Sequence, residues 1–270
     1  ILTFIFNFFS IKKKFIATES DTQLVISNNY LKRFVKWMYL SVIFQNKYVL
    51  GFAGGNNSHK DLFRHYGMNE DRIFLMPMMV DNSKFYIDKK KTPNIFTFLF
   101  VGRLVPHKNV EHLIQQFNIN FSEKDALLKI IGDGEQGKYL TDKYTSEKVI
   151  FMGKKFNQEL IVEYFSASCF VCPSLFEPWG LVVNEALSAG LPVIVNKEVG
   201  ACFDLIKDKE TGFISEDMLD LGKMMLTLFN DSELLKRYSE NASGLMKNNW
   251  NYELYNNCLN NAIKKVKQWQ

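Results

Sequence analysis

The feature that most constrains the fold is a regular alternation of short apolar runs and helix-like stretches in the carboxy-terminal two-thirds of the chain. The apolar runs are 95–101, 127–131, 149–152, 169–172 and 192–195. Nearly continuous apolar strands that alternate with helices are typical of a parallel sheet covered on both faces. The pattern therefore predicts a doubly wound α/β domain.

The preceding residues show the same alternation in a shorter form. Strands are predicted at 14–18, 48–53 and 72–76, with one helix at 31–44 and another that follows the turn at 54–58 and ends near Gly67. A polar stretch at 79–94 reads as a linker. We therefore predict a partial Rossmann-like amino-terminal domain at 1–88, a doubly wound parallel-sheet domain at 89–250, and a helix at 251–270 that packs back on the first domain.

Composition excludes several classes of protein. The 33 basic and 29 acidic residues give a net charge of +4, which is too mild to indicate a nucleic-acid partner. The four cysteines have no disulfide-like spacing. Low cysteine content and the lack of a signal peptide pattern predict a cytoplasmic protein.

The first eleven residues are strongly apolar and are followed by Lys12, Lys13 and Lys14. A spanning helix needs roughly 20 apolar residues, and a signal peptide carries its positive charge before the apolar run. We therefore predict a buried helix. The chain begins with Ile1, and its first elements look like the middle of a domain, so we expect a fragment.

The loop after the strand at 95–101 carries two cations, Arg103 and Lys108, next to the start of a helix. Helix N-termini favour anions, and two added cations would make a clamp for a diphosphate. The alternative is a pair of solvated loop cations. His107 lies between them, either as a ligand contact or as a solvated loop histidine.

The segment after the strand at 169–172 carries two carboxylates with seven residues between them, Glu177 before a predicted helix and Glu185 inside it. Gly180 would let a phosphate approach the amides of a helix N-terminus. Glu185 could accept hydrogen bonds from ribose hydroxyls, and Glu177 would face the sugar beyond the diphosphate. The alternatives are ordinary helix capping and chance spacing.

Two further patterns point elsewhere. The segment 132–137 satisfies G-x-G-x-x-G, which is the dinucleotide fingerprint. That fingerprint belongs on the opening strand of its fold, whereas here it follows the second, so NADP binding is the weaker interpretation. Cys169 and Cys172 lie within an apolar strand with their sulfurs on opposite faces, which predicts core thiols.

Several ordered motifs between residues 56 and 246 resemble the GT-B-fold glycosyltransferases of family 4. They are 100–104 with Lys108, 131–134, 151–153, and the E-x7-E segment from Glu177 to Glu185. The segment 75–81 followed by Phe85 also resembles the family's interdomain crossing. The resemblance implies a metal-independent enzyme that transfers a sugar from a nucleotide diphosphate with retention of configuration.

Carried over by position, the resemblance assigns Arg103 and Lys108 to the diphosphate, where they would stabilise charge on the departing nucleotide. Glu185 would hold the ribose and Glu177 would contact the donor sugar, so the predicted catalytic residues are Glu177, Arg103 and Lys108. The other predicted donor contacts are Gly102, Gly132, Gly153, Lys154, Gly180, Leu181 and Val182. No cofactor and no metal are expected.

The resemblance fails in the first domain. The amino-terminal half of that domain, which in the family holds much of the acceptor site, is missing, and Glu19, Ser20 and Asp21 match only one strand-end position. Residues 89–250 resemble the family's nucleotide-sugar-binding domain. Two hypotheses remain. One is an enzyme that transfers a hexose from a UDP- or GDP-linked donor to a glycan or glycolipid in polysaccharide biosynthesis, with peripheral membrane association at the inner face. The other is a catalytically inactive nucleotide-sugar-binding module.

Overall fold

A computed structural model describes residues 14–86 and 93–269. It divides the chain into two compact units, Ile1–Met78 with Tyr252–Gln270 and Met79–Asn251. The helix predicted for the first eleven residues and part of the predicted linker, 87–92, lie outside the described residues.

The second unit begins at Met79, the first residue of the polar stretch, and hydrogen bonds of Asn82 show why the start of that stretch belongs to it. Its side-chain amide donates to the carbonyl oxygens of Met246 and Trp250, at 2.9 and 2.8 Å. The Ser188 hydroxyl donates to the Asn82 side-chain oxygen at 3.1 Å. These bonds tie the short 3-10 helix Asn82–Phe85 to the second unit.

The first unit contains a three-stranded parallel sheet. Its elements are β1 (Ile16–Ser20), α1 (Tyr30–Phe44), β2 (Val49–Ala53), α2 (Asn57–His65) and β3 (Ile73–Leu75). The strands follow one another in the order β1-β2-β3, around a core that includes Phe44 and Phe63. The C-terminal helix, Tyr252–Trp269, belongs to this unit, and the Trp269 ring lies 5.6 Å from that of Phe15.

The second unit is an alternating series of strands and helices around a six-stranded sheet. Its elements are β4 (Phe96–Val101), α3 (Val110–Phe121), β5 (Ala126–Ile131), α4 (Gly137–Tyr144), β6 (Val149–Phe151), α5 (Asn157–Ser166), β7 (Cys169–Cys172), α6 (Leu181–Ser188), β8 (Val193–Asn196), α7 (Cys202–Leu205), β9 (Gly212–Ser215), α8 (Leu221–Asn230) and α9 (Ser232–Asn248). All neighbouring strands are parallel, so the predicted α/β class is confirmed. The short elements α7 and β9 were not predicted.

The strand order of this sheet is β6-β5-β4-β7-β8-β9, so the chain reverses its direction of winding between β4 and β7. Because crossovers between parallel strands are right-handed, the helices before and after the reversal cover opposite faces. Ligands of such sheets bind beyond the carboxyl ends of the strands at this switch point. The two loops that carry the predicted clamp and the E-x7-E segment follow β4 and β7.

The core of the second unit is rich in phenylalanine, as its composition indicates. The rings of Phe117 and Phe121 stack at 5.2 Å with 11° between their planes, and Phe98 packs edge-on against both. Cys169 and Cys172 are buried free thiols, which confirms that prediction. Aromatic packing in the interior therefore accounts for much of the phenylalanine content.

Candidate functional site

The loops that follow β4 and β7 are joined directly. The backbone amide of Leu175 donates to the carbonyl of His107 at 2.8 Å. Next to this bond, the Lys108 ammonium forms an ion pair with the Glu177 carboxylate. The two side chains are only 11% and 18% exposed, so the pair is poorly screened by solvent. The fold thus brings together two of the three residues predicted to be catalytic.

Local geometry makes the β4 loop electropositive. Pro106 begins a short 3-10 helix, Pro106–Lys108, and Asn109 in the left-handed conformation directly precedes α3. In this loop Lys108 is buried and Arg103 is exposed. Burial lowers the pKa of Lys108, while the contact with Glu177 favours its charged form. Partial burial and the charges of Lys108 and Arg103 also lower the pKa of His107.

A third loop holds Glu177 from the other side. The backbone amide of Glu177 donates to the Glu198 carbonyl, and the Glu177 carbonyl accepts from the Gly200 amide, both at 3.0 Å. The following Trp179 is almost fully buried, and its indole N–H donates to the Asn184 side chain at 2.8 Å. No spacing pattern in the sequence pointed to the anchoring role of Trp179. These contacts fix the backbone on which the Glu177 carboxylate is presented.

Gly180 lies at the start of α6 in a left-handed conformation, with φ of +95°. A side chain there would place its Cβ 3.1 Å from Glu177 Cγ and 3.2 Å from Val199 Cγ1. Glycine therefore avoids both backbone strain and tight contacts with Glu177 and Val199. Leu181 and Val182 form the first turn of the helix, where backbone amides lack intrahelical acceptors.

The second glutamate of the segment, Glu185, lies on α6 and is partly buried. Its Oε2 accepts a hydrogen bond of 2.7 Å from the hydroxyl of Tyr164 on α5. Burial raises the pKa of Glu185, and the hydrogen bond from Tyr164 partly opposes that shift. Tyr164 is fully buried, and no motif in the sequence identified it as a partner. A regularly placed core aromatic on a helix carries no signal of a polar contact.

The glycines after β5 are explained by close packing of loops. A Cβ on Gly132 would lie 1.8 Å from the Gly102 carbonyl oxygen, and one on Gly134 would lie 2.4 Å from that of Leu104. Gly132 also donates its amide to the Gly153 carbonyl at 2.8 Å. The G-x-G-x-x-G pattern thus follows the second strand of the domain and serves loop-to-loop contact, which removes support for the dinucleotide interpretation.

The remaining predicted residues lie apart from this cluster. Gly153 and Lys154 follow β6, two strands from β4, and Lys154 approaches Asp133 at 3.4 Å. In the first unit, Asp21 accepts a 2.9 Å hydrogen bond at its carbonyl from the buried His59 ring. Among the described residues, no group of three or more His, Cys, Asp or Glu side chains could hold a metal, and no helix is long and apolar enough to cross a membrane.

Comparison with known families gives one match over most of the second unit. The model described as "Glycosyl transferases group 1" matches residues 79–244, which is more than half of the chain. The matched region begins at the start of the second unit and includes both loops of the site.

Individual relatives align with part of this chain and with a smaller part of their own length. An uncharacterized glycosyltransferase of Methanocaldococcus jannaschii is 38% identical over 118 residues, which are 42% of this chain and 30% of the relative. A GDP-mannose-dependent alpha-mannosyltransferase of Corynebacterium glutamicum is 31% identical over 163 residues, or 57% of this chain and 37% of the relative. The chain therefore spans less than half the length of these relatives.

Among solved structures, the Anabaena protein HepE in complex with UDP superimposes with a TM-score of 0.76. The match covers 93% of this chain and 72% of that protein, at 17% identity. At this level of identity the similarity establishes the fold alone. It agrees with the GT-B architecture that the sequence motifs predicted.

Proposed function

Since the chain belongs to the group 1 glycosyl transferases, a family of retaining enzymes, we propose that it binds a UDP- or GDP-linked sugar and transfers a hexose to a glycan or glycolipid acceptor. The proposed transfer retains the anomeric configuration and needs no metal. The observation that supports it best is the contact between Lys108 and Glu177 at the switch point of the sheet, because it joins the cationic loop to the E-x7-E segment.

The proposed diphosphate site consists of fixed positive charge. Arg103 and Lys108 would contact the phosphates from the β4 loop, and the amides of Gly180, Leu181 and Val182 would contribute the positive end of α6. As the bond between sugar and phosphate breaks, negative charge grows on the departing nucleotide. Preorganised cations and amides stabilise that charge without having to reorganise, which is the usual source of rate acceleration in such a site.

The two glutamates would hold the groups on either side of the diphosphate. Glu185 would accept the ribose hydroxyls, and Glu177 would contact hydroxyls of the donor sugar. Lys108 pairs with Glu177 in the structure, so a phosphate that binds Lys108 has to share or replace that carboxylate. The exchange keeps the ammonium paired throughout, which avoids leaving a buried charge without a partner.

The base and the sugar are determined by residues around this core. Gly153 and Lys154 follow β6 and are proposed to line the base pocket, with Gly102 and Gly132 between them and the phosphates. The relatives include a GDP-mannose-dependent enzyme and a structure with bound UDP, so both bases occur among similar proteins. We therefore propose only that the donor carries one of these two.

The test is calorimetric titration of the protein with UDP and GDP in the presence of EDTA. We expect one nucleotide to bind more tightly and Arg103→Ala and Glu185→Ala each to weaken that binding at least tenfold, since each removes a charged hydrogen-bonding partner. The matched control is Lys138→Ala, because Lys138 is 88% exposed and pairs with Asp142 in the next turn of α4. It should leave the affinity unchanged.

Binding of neither nucleotide would contradict the donor site, and unchanged binding in both site variants would contradict its residues. Turnover separates the enzyme from the inactive module. Release of UDP or GDP from the corresponding sugar nucleotides, dependent on Lys108 and Glu177, would support the enzyme. Tight nucleotide binding without sugar release in the presence of glycan acceptors would favour the binding module.

A further inference from the structure

The hydrogen bond between Tyr164 and Glu185 joins two helices behind the proposed donor site. Tyr164 lies on α5 and Glu185 on α6, and the hydroxyl reaches Oε2 at 2.7 Å. The phenol ring is fully buried, with the Phe85 ring edge-on at 5.6 Å and the Phe170 ring at 6.0 Å. Packing on two sides therefore fixes the position of the hydroxyl.

The chemistry of the pair determines which group donates. Burial and the neighbouring Glu185 carboxylate raise the pKa of Tyr164 well above its ordinary value, so the phenol stays protonated. A protonated phenol can donate one hydrogen bond through its O–H group, and the carboxylate oxygen Oε2 is the acceptor of that bond. The bond also restrains the rotation of a side chain that would otherwise have three flexible torsions. The other oxygen, Oε1, keeps a defined direction from which it can accept hydrogen bonds from a ligand.

A pair of vicinal hydroxyls is a demanding ligand for a carboxylate. Both hydroxyl protons have to reach lone pairs of the carboxylate at hydrogen-bonding distance, and a freely rotating side chain pays conformational entropy to meet them. A carboxylate held in place beforehand avoids that cost. This benefit applies only to ligands that carry the hydroxyls.

On the basis of the proposed donor site, we propose that Tyr164 is a positioning residue that makes the site selective for ribonucleotides, because it orients Glu185 toward the ribose hydroxyls. It acts through Glu185 and contacts no substrate itself. Removal of its hydroxyl should weaken the binding of a ribonucleotide and leave the binding of the corresponding dideoxynucleotide unchanged.

The experiment compares UDP with 2′,3′-dideoxy-UDP by calorimetry, or the guanosine pair if GDP is the tighter ligand. Wild-type protein should prefer the ribonucleotide by at least tenfold, and Tyr164→Phe should lower UDP affinity by about tenfold while dideoxy-UDP changes less than twofold. The phenylalanine keeps the ring that packs against Phe85 and Phe170. Tyr144→Phe is the matched control, because it removes an equivalent 2.8 Å hydrogen bond to Glu111 and should alter neither affinity.

A double-mutant cycle distinguishes positioning from general structural support. If Tyr164 acts through Glu185, Tyr164→Phe should have no further effect on UDP binding in a Glu185→Ala background. The double variant also contains no unsatisfied carboxylate, so it provides the test if the single variant folds poorly.

The possible results distinguish a failure of the role of Tyr164 from a failure of the proposed donor site. Equal weakening of both nucleotides in Tyr164→Phe, or no weakening of either, would overturn the role of Tyr164 while nucleotide binding and its dependence on Glu185 remained intact. An additive loss in the double variant would overturn it as well. Absence of nucleotide binding in the wild type, or unchanged binding in Glu185→Ala, would overturn the donor site and this inference with it.

Discussion

The ion pair between Lys108 and Glu177 predicts a large and specific effect on stability. Lys108→Met keeps a side chain of similar length but replaces the ammonium with an apolar end. The Glu177 carboxylate then lacks this ion-pair partner. Removal of one partner from a buried pair costs about 3–5 kcal/mol of the free energy of unfolding. Because the side chains keep 11% and 18% exposure, we expect the lower end, about 3 kcal/mol. The double variant Lys108→Met with Glu177→Gln should recover about 2 kcal/mol of this, since no charge is left buried.

The assay is urea unfolding followed by tryptophan fluorescence in a Trp37→Phe and Trp269→Phe background. The chain has four tryptophans, and this background leaves Trp179 and Trp250, which stack at 5.6 Å within the second unit. Lys138→Met is the control, because it breaks an exposed ion pair that solvent screens and that should contribute little to stability. A loss in Lys108→Met no larger than that control, or no recovery in the double variant, would refute the argument.

Two further predictions follow from the glycines and from Glu185. Gly132→Ala should cost about 3 kcal/mol or more in the same urea assay, because φ is +137° and the new Cβ would lie 1.8 Å from a carbonyl oxygen. Gly153→Ala, with φ of +64° and open space around the position, should cost only about 1 kcal/mol, and equal losses would contradict the packing argument. Burial raises the pKa of Glu185, and its ionised form is the better acceptor, so UDP affinity should fall as the pH decreases through that raised pKa. Titrations between about pH 5 and 8 test this, and a pH dependence that persists unchanged in Glu185→Ala would assign the effect to another group.

The elements with strong local signals were predicted well. Apolar β-branched and aromatic runs gave strands such as Phe96–Val101 and Cys169–Cys172 within one residue of their observed bounds. The strand Gly212–Ser215 was missed because it is short and includes a glycine, and its strand character comes from pairing with β8. A Cβ on Gly212 would lie 2.0 Å from the Val193 carbonyl oxygen, which is a tertiary reason for a residue that locally disfavours a strand.

In the candidate site, some residues could be identified from the sequence and others only from the folded structure. The charged residues could be selected from the sequence because they lie in segments that follow strands and are expected at the carboxyl edge of a parallel sheet, namely Arg103, Lys108, Glu177 and Glu185. Their partners could not be selected. Tyr164 and Trp179 look like ordinary buried aromatics until the packing of helices and loops places a carboxylate or an amide within reach of their polar atoms.

Hydrophobic periodicity and residue chemistry are local properties, so the class of fold, the alternation of elements and the chemical types in the two site segments follow from the sequence. The strand order, the pairing of Lys108 with Glu177 and the hydrogen bond from Tyr164 to Glu185 emerge only when the chain is folded. These depend on contacts between residues that are 69 and 21 positions apart in the chain. Their geometry is fixed by how the sheet winds and how its loops pack, which no local pattern encodes.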